Sequence, residues 1–599
     1  MGSGNKIIKN TRNRSKKHDK ATCFLNEKGI AKITDLRNYV FSEKTISEIK
    51  TKVYKNNLID GFIIFLSLCN ANSRAIVIKG TGETLESAWE NAENKAVEFI
   101  SNTKKGYDVV WVRADIVNFV DEIPAMNLNK EIAGNIYPYF FRKGIALDKN
   151  FKIAFLEGEL NGNGMLSYNN NSGENSAALE LNNINKYLKY YNKHVKLVAL
   201  PEKLITFTTV SFFIDEAGKT YELYADGLDS GRRTINFADD TYMKSIIINV
   251  SKYLYALIQP DGKFTYGYRP IFDKEIDTYN ILRHTGSIWS LINFYRMTGN
   301  NELIPSINAA IRYLLEGYIE YKFNAAYIIE RKSGEIKLGG NGLAIIMLTE
   351  YMDVFGTNKY IDVVQSLANG ILSLEDRGSG KYYHVLNYPE YSLKEEFRTI
   401  YYDGEATFAL TRAYRFTRKQ KYLDGAAAAI ENFIVKDYTK YRDHWVAYAL
   451  NEITQYIPEL RYYEFAMQNV GKNLDVIYHK ATLHPVYLEL FMAGWQTYER
   501  FLKSGMKSEY LEGFNLKYFA ESIYKRVFHM LNGYFYPEIA MYMKAPDKIV
   551  NSFFIRNNSF RVRIDDIQHY ISGNYFYTLY YDRILPYLSK EFIARIHNQ

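Results

Sequence analysis

The stretch Tyr401–Leu450, YYDGEATFALTRAYRFTRKQKYLDGAAAAIENFIVKDYTKYRDHWVAYAL, decides how this chain is read. It holds two helical segments set between two polar corners. The first, from about Glu405 to Phe416, carries Ala406, Phe408, Ala409, Leu410, Ala413 and Tyr414, apolar over most of its circumference, which predicts a helix buried on all sides. The second, from about Lys421 to Val435, puts Tyr422, Leu423, Ala426, Ile430, Phe433 and Ile434 on one face, the pattern of a half-exposed helix. A buried helix paired with an amphipathic one is the unit of a helical toroid. Asp403, Glu405, Asp443 and His444 stand where buried helices begin. If other buried helices begin the same way, their polar N-termini meet in one cavity.

An internal repeat extends the pattern. Met297–Glu316, Val354–Ser373 and Phe416–Val435 each read as a short polar turn, an apolar pair and an amphipathic helix, at spacings of 57 to 62 residues. Carried along the chain, the period places six buried helices, starting near Arg283, Gly339, Tyr402, Asp443, His484 and Asp565. Outer helices are expected near Leu303–Ile319, Tyr360–Ser373, Lys421–Val435, Thr454–Val470, Leu516–Leu531 and Leu585–His597. This organisation, over residues 240–599, resembles the six-hairpin glycosidase superfamily and the N-acylglucosamine 2-epimerase-like toroids, and the resemblance implies an (α/α)6 toroid. It further implies an active site at the end of the barrel where the inner helices start.

Before residue 235 the pattern is different. Gly61–Cys69, Arg74–Gly80, Tyr107–Val117, Leu204–Ile214 and Lys219–Ala225 read as strands, and Leu85–Ser101 as a helix capped by Thr84. Residues 21–235 are therefore expected to form a mixed α+β domain ahead of the all-α toroid. It shows no phosphate loop, triad or metal-ligand spacing, which leaves it a supporting or protein-partner role. Seven Lys and Arg in residues 1–20 predict a disordered basic tail. A solvated tail is favoured over a nucleic-acid contact. No apolar run approaches the roughly 18 to 20 residues of a spanning helix, and no apolar signal segment opens the chain. The expectation is a cytoplasmic protein without a membrane span. Two cysteines, Cys23 and Cys69, support neither a disulfide framework nor a Cys-based zinc site.

The corners carry the chemistry. Glycoside hydrolysis needs one carboxylic acid and one carboxylate, and Glu405, Asp443, Asp565 and Asp566 supply candidates from three corners. Asp565 and Asp566 are adjacent, so a shared dry pocket would hold one of them protonated as the acid. His444 and His569 are candidate bases for the alternative, proton abstraction beside a carbonyl by an epimerase or lyase. Arg283, His284, Asn341, Tyr402, Asp403, Trp445, His484, Gln568 and Tyr570 complete the expected substrate-binding set. For each corner residue helix capping is the competing role, and for the aromatics, core packing. No HxH or HxxxH pair is present, so neither metal nor cofactor is expected. The 53 tyrosines suit sugar stacking and hydrogen bonding as well as a compositional bias. The first reading is a glycoside hydrolase on an oligo- or polysaccharide. An epimerase or lyase comes second, and a non-catalytic assembly protein of a surface-polymer pathway third.

Overall fold

The computed structural model describes residues 25–53, 58–103, 107–133, 138–169, 176–191 and 195–597. The basic tail, Cys23 and part of a Gly/Asn-rich loop lie outside them. The first part is β-rich. Strands β1 (Phe62–Cys69), β2 (Ile76–Gly82), β3 (Trp111–Pro124), β4 (Gly144–Ala146), β5 (Ala154–Phe155), β6 (Lys203–Ile214) and β7 (Thr220–Leu223) form an antiparallel sheet. Its order is β2-β1-β3-β6-β4-β5, with β7 also on β6. Period-2 alternation divides β1 between two cores: Ile64, Leu66 and Leu68 face one side, Ile63, Phe65 and Cys69 the other. Helix α1 (Leu85–Asn102) covers the first side through Leu85, Ala88, Trp89, Ala92, Ala96 and Ile100. Its start is fixed by a reciprocal capping box between Thr84 and Ser87.

The second part is a ring of helices. Inner helices α3 (Ile281–Thr298), α5 (Leu338–Phe355), α7 (Tyr401–Thr417), α9 (His444–Ile453), α11 (Val486–Ser504) and α13 (Ile564–Ile584) pack each on the next, and α13 closes on α3. Outer helices α2 (Asp240–Ala256), α4 (Leu303–Gly317), α6 (Ile361–Ser373), α8 (Gln420–Val435), α10 (Leu460–Gly471) and α12 (Leu516–Met530) surround them. This is six inner and six outer helices with one closed core. Among the described residues, no helix is long and apolar enough to cross a membrane.

Two expectations are corrected. The sixth outer helix is not Leu585–His597 but α2, which precedes the first inner helix and packs against both α13 and α3. Residues 585–597 instead form a short turn and the helix Lys590–His597, whose Phe592 and His597 rest on Tyr524 of α12. The fourth outer helix begins at Leu460 rather than Thr454, after a turn that contains Pro458.

Short strands run into the inner helices. Glu335–Lys337 leads directly into α5 and Arg561–Arg563 into α13, each held in a small antiparallel sheet. The link between α12 and α13 leaves the ring and docks on the N-terminal sheet. There the Tyr542 hydroxyl lies 3.0 Å from Ser67 Oγ, and Arg113 donates to the Glu538 carbonyl. The fully buried Glu538 carboxylate accepts from the backbone N–H, Nε and a terminal nitrogen of Arg233.

Removing one partner of a buried ion pair strands the other charge. Glu538→Ala is therefore expected to lower stability by about 3–5 kcal/mol in urea unfolding. Lys381→Ala, at an exposed pair with Glu396, is expected to leave the midpoint unchanged.

Candidate functional site

All six inner-helix starts open into one cleft of about 520 Å³. Arg283 and Gly286 come from α3, Leu343 from α5, Tyr401, Tyr402 and Glu405 from α7, and His444 and Trp445 from α9. His484, Pro485 and Tyr487 open α11, and Arg563, Asp565, Asp566, Gln568 and His569 open α13. These helix ends approach closely because small residues stand at the contacts. A Cβ on Gly339 would lie 2.0 Å from Glu405 Oε2, and one on Gly404 would lie 2.7 Å from Asp443 Oδ2.

The floor of the cleft is an ionisable group of unusual dryness. His444 is 1% exposed, and neither ring nitrogen has a hydrogen-bond partner. Its Nε2 lies 3.8 Å from Glu489 and its Nδ1 3.7 Å from Asp443. Burial, with His569 beside it, drives its pKa well below the ordinary imidazole value. The two rings meet edge to face, 5.0 Å between centroids. For His569 burial also opposes the charge, but Glu489 at 2.7 Å from Nδ1, together with Asp565 and Asp566, outweighs it and raises the pKa. The two imidazoles are thus pushed in opposite directions, His444 towards its neutral form and His569 towards its charged form.

Three carboxyls have raised pKa values. Glu405 is raised well above the usual range by burial and then by Asp443, and its Oε2 has no partner. Asp443 caps α9 by accepting from the Trp445 N–H, yet burial and Asp403 raise it as well, and its Oδ2 is free of partners. Glu489 is raised mainly by burial, held back by the donors His569 and Tyr448. Asp565 goes the other way. Burial is overcome by Arg283, His569, Arg563 and Arg561, and its pKa falls. It accepts from Arg283 at 3.0 Å and Arg563 at 2.7 Å, while Asp566 accepts from Arg561 and Arg563. The expectation of a raised pKa in this adjacent pair is not met at Asp565: arginines hold both carboxylates, and the carboxyls with raised pKa values lie on other helices.

Of the expected residues, Glu405, His444, Asp565, Asp566, His569, Arg283, Tyr402, Trp445, His484 and Gln568 line the cleft, and Asp443 stands directly behind His444. Four others turn away. His284 is fully buried between the Tyr279 hydroxyl and the Ala310 carbonyl of α4, where burial pulls its pKa down to about 4. Asn341 ties α5 to the Ala326 and Ile328 backbone and to Leu367 of α6. Asp403 accepts from His384 and Tyr438, and Tyr570 stacks on Phe553 in the core. These four are structural residues.

Sequence reasoning misses Glu489, Tyr401, Tyr487, Arg398 and Arg563. Glu489 is the most consequential. Its one available signal is a lone acid inside the apolar run Tyr487–Trp495. With His444 and His569 it places ligand atoms within 4.8 Å of one another, a donor set able to hold a divalent cation although no pair is adjacent in sequence.

No family model matches the chain, and no curated protein sequence matches it. Solved structures of toroid enzymes do. A D-mannose isomerase aligns over 59% of this chain and 100% of its own, at 14% identity and a TM-score of 0.45. The cellobiose 2-epimerase of Bacillus thermoamylovorans B4167 covers 57% of this chain and 99% of its own, at 12% identity and a TM-score of 0.44. The GH76 α-mannanase BT2949 of Bacteroides thetaiotaomicron covers 58% and 96%, at 12% identity and a TM-score of 0.37.

The contact at Gly339 gives a local test. Gly339→Ala puts a methyl group where the Glu405 carboxyl stands and is expected to lower stability by about 1–3 kcal/mol in urea unfolding, the cost of overpacking a close contact. Near-UV circular dichroism checks that the fold persists.

Proposed function

We propose that this protein is a carbohydrate-processing enzyme that moves a proton at the carbon beside a sugar carbonyl, as an epimerase or an aldose–ketose isomerase does. One observation carries the reading: two contacting imidazoles with pKa values pushed in opposite directions, on the floor of a cleft. Such a divergent pair assigns a base and an acid. Neutral His444 takes the proton from carbon, and the C–H electron pair forms the double bond of an enediol as the carbonyl oxygen takes the proton of His569. Return of the proton held by His444 to the neighbouring carbon gives the isomer, and its return to the opposite face of the original carbon, once the enediol has turned in the cleft, gives the epimer. The enediol hydroxyl gives its proton back to His569. The cleft walls suit a polyhydroxylated substrate, with aromatic faces from Tyr401, Tyr402 and Tyr487 and donors from Arg283 and Gln568. Its volume lies within the range of about 300–1,000 Å³ usual for small-molecule sites.

A glycoside hydrolase is the second reading, favoured by Glu405 as a protonated acid facing the ionised Asp565. Proton NMR in D2O over a panel of aldoses, ketoses and reducing disaccharides separates the two. Loss of the C2–H signal with formation of an epimer or ketose is expected, reduced about 10²–10⁴-fold in His444→Ala and in His569→Ala. Glycosidic cleavage abolished by Glu405→Gln, without exchange at carbon, would overturn the reading.

The pH profile follows from the same shifts. His444 must be neutral and His569 protonated, so kcat/KM is expected to be bell-shaped, with its acid limb below the ordinary imidazole value of 6.5 and its alkaline limb above it. Glu489→Gln removes the charge that supports His569, and the alkaline limb is expected to move to lower pH. Acid–base work by this pair needs no cation, so protein treated with EDTA is expected to keep its exchange rate. Loss that added zinc restores would reassign His444, Glu489 and His569 as metal ligands.

A further inference from the structure

A second pocket, of about 280 Å³, opens on the outer wall between α12 and the loop 479–485 that leads into α11. Its lining carries Lys480, Lys525 and Arg526, together with His479 and with His529, whose pKa burial pulls down to about 4. The single lining carboxylate, Asp229, is already engaged by Arg232 at 2.6 Å and Asn532 at 2.8 Å. Arg526 is 3% exposed and has no carboxylate partner among the described residues. Its terminal nitrogens donate to three backbone carbonyls, of Lys480, Thr482 and His484, and its Nε has no partner. Neither Lys480 nor Lys525 forms a salt bridge among the described residues; Lys525 Nζ sits 3.7 Å from the Tyr478 ring centroid. His529 meets the Ala481 carbonyl at 2.8 Å, and His479 has the exposed Asp475 at 3.5 Å.

A guanidinium buried without a counter-charge is costly to the fold unless something supplies that charge. Burial lowers the pKa of Arg526 to about 10 for this reason. Two lysines at the mouth and an arginine with an unused N–H behind them match the three acceptor oxygens of a phosphate group, which takes charge-assisted hydrogen bonds from both side-chain types.

We propose that this outer-wall pocket is an anion site for a phosphate group, either free or carried on a phosphorylated metabolite, and that it communicates with the cleft through Arg526. The connection is short. One terminal nitrogen of Arg526 holds the carbonyls of Thr482 and His484, its guanidinium lies 5.5 Å from the Tyr487 ring centroid, and His484 and Tyr487 line the cleft. An anion that reorients Arg526 therefore acts on the start of α11.

The test is calorimetric titration of the full-length protein with inorganic phosphate and, separately, with a hexose phosphate. Saturable binding of phosphate is expected, weakened about tenfold or more in the double variant Lys480→Ala/Lys525→Ala. That is the loss of about 1.4 kcal/mol or more, within reach of one or two charge-assisted hydrogen bonds. Both lysines stand at the pocket mouth, so the double variant is expected to fold; Arg526→Lys, which keeps the charge but not the fork, tests the buried member. Binding in both arms must survive Arg283→Ala, which alters the catalytic cleft alone. Equal affinity for the two ligands identifies free phosphate as the source, and tighter hexose phosphate binding identifies the metabolite. No saturation up to about 10 mM, or binding untouched by the lysine variants, or binding lost in Arg283→Ala, would overturn the site. Intrinsic tyrosine fluorescence that shifts on phosphate addition in the wild type but not in Arg526→Lys reports the link to Tyr487, independently of any assigned reaction. An unchanged signal in the wild type would overturn that link.

Discussion

The close approach of six inner-helix N-termini is the constraint on which the rest of this structure depends. Each helix arrives with unpaired N–H groups and a positive dipole end, and the six would repel if only backbone met there. Carboxyls answer that field, but they are buried, so their own ionisation becomes costly. Glu405, Asp443 and Glu489 consequently hold raised pKa values. The approach itself depends on absent side chains. Gly339 leaves room for the Glu405 carboxyl and Gly404 for that of Asp443. A ring of the same helices with larger residues at those contacts would stand further apart, admit water and lose the electrostatic contrast.

The N-terminal sheet contributes to this site at a distance. Arg561 and Arg563, which both donate to Asp566 and of which Arg563 shares Asp565 with Arg283, lie on a strand at the end of the α12–α13 link. That link is anchored on the sheet side by Tyr542 against Ser67, Glu538 against Arg233, and Arg556 against Glu157. A strand fixed at one end by buried pairs delivers its arginines with little freedom. The sheet is buried on both faces, which explains why β1 reads as a nearly continuous apolar run instead of a clean alternation.

Much of this was legible from residues, and the misses share a geometric origin. Polar corners ahead of apolar runs mark inner-helix starts because a helix buried on all sides can carry polar groups only where it ends. Which corner residue faces the cleft is a matter of rotation, about 100° per residue. Asp403 and Glu405 lie about 200° apart on that count, so one meets His384 and the other the cavity. Arg283 and His284 diverge for the same reason, His284 reaching α4 instead. Glu489 escapes a search of corners because it stands inside its helix, one turn beyond His484 and Pro485. The outer helix was misassigned because a closed ring can be completed from either end of the chain, and a period carried forward always chooses the far end. The amphipathic signal of α2 was present in Met243, Ile246, Ile247, Val250 and Leu254.

The cleft divides its charges by their freedom to move. Arg283, Arg398, Arg561 and Arg563 are held by Asp565, Asp566, Glu335 and Glu395. Charges fixed in this way orient a polar ligand and change little when it arrives. On the floor, His444 has no hydrogen bond, and Glu405 and Asp443 each present an oxygen without a partner. Unpaired polar groups at a buried site are unfavourable for folding. A bound molecule that supplies the missing donors and acceptors recovers that cost. The unpaired floor is thus better matched to a polar ligand than to the empty protein.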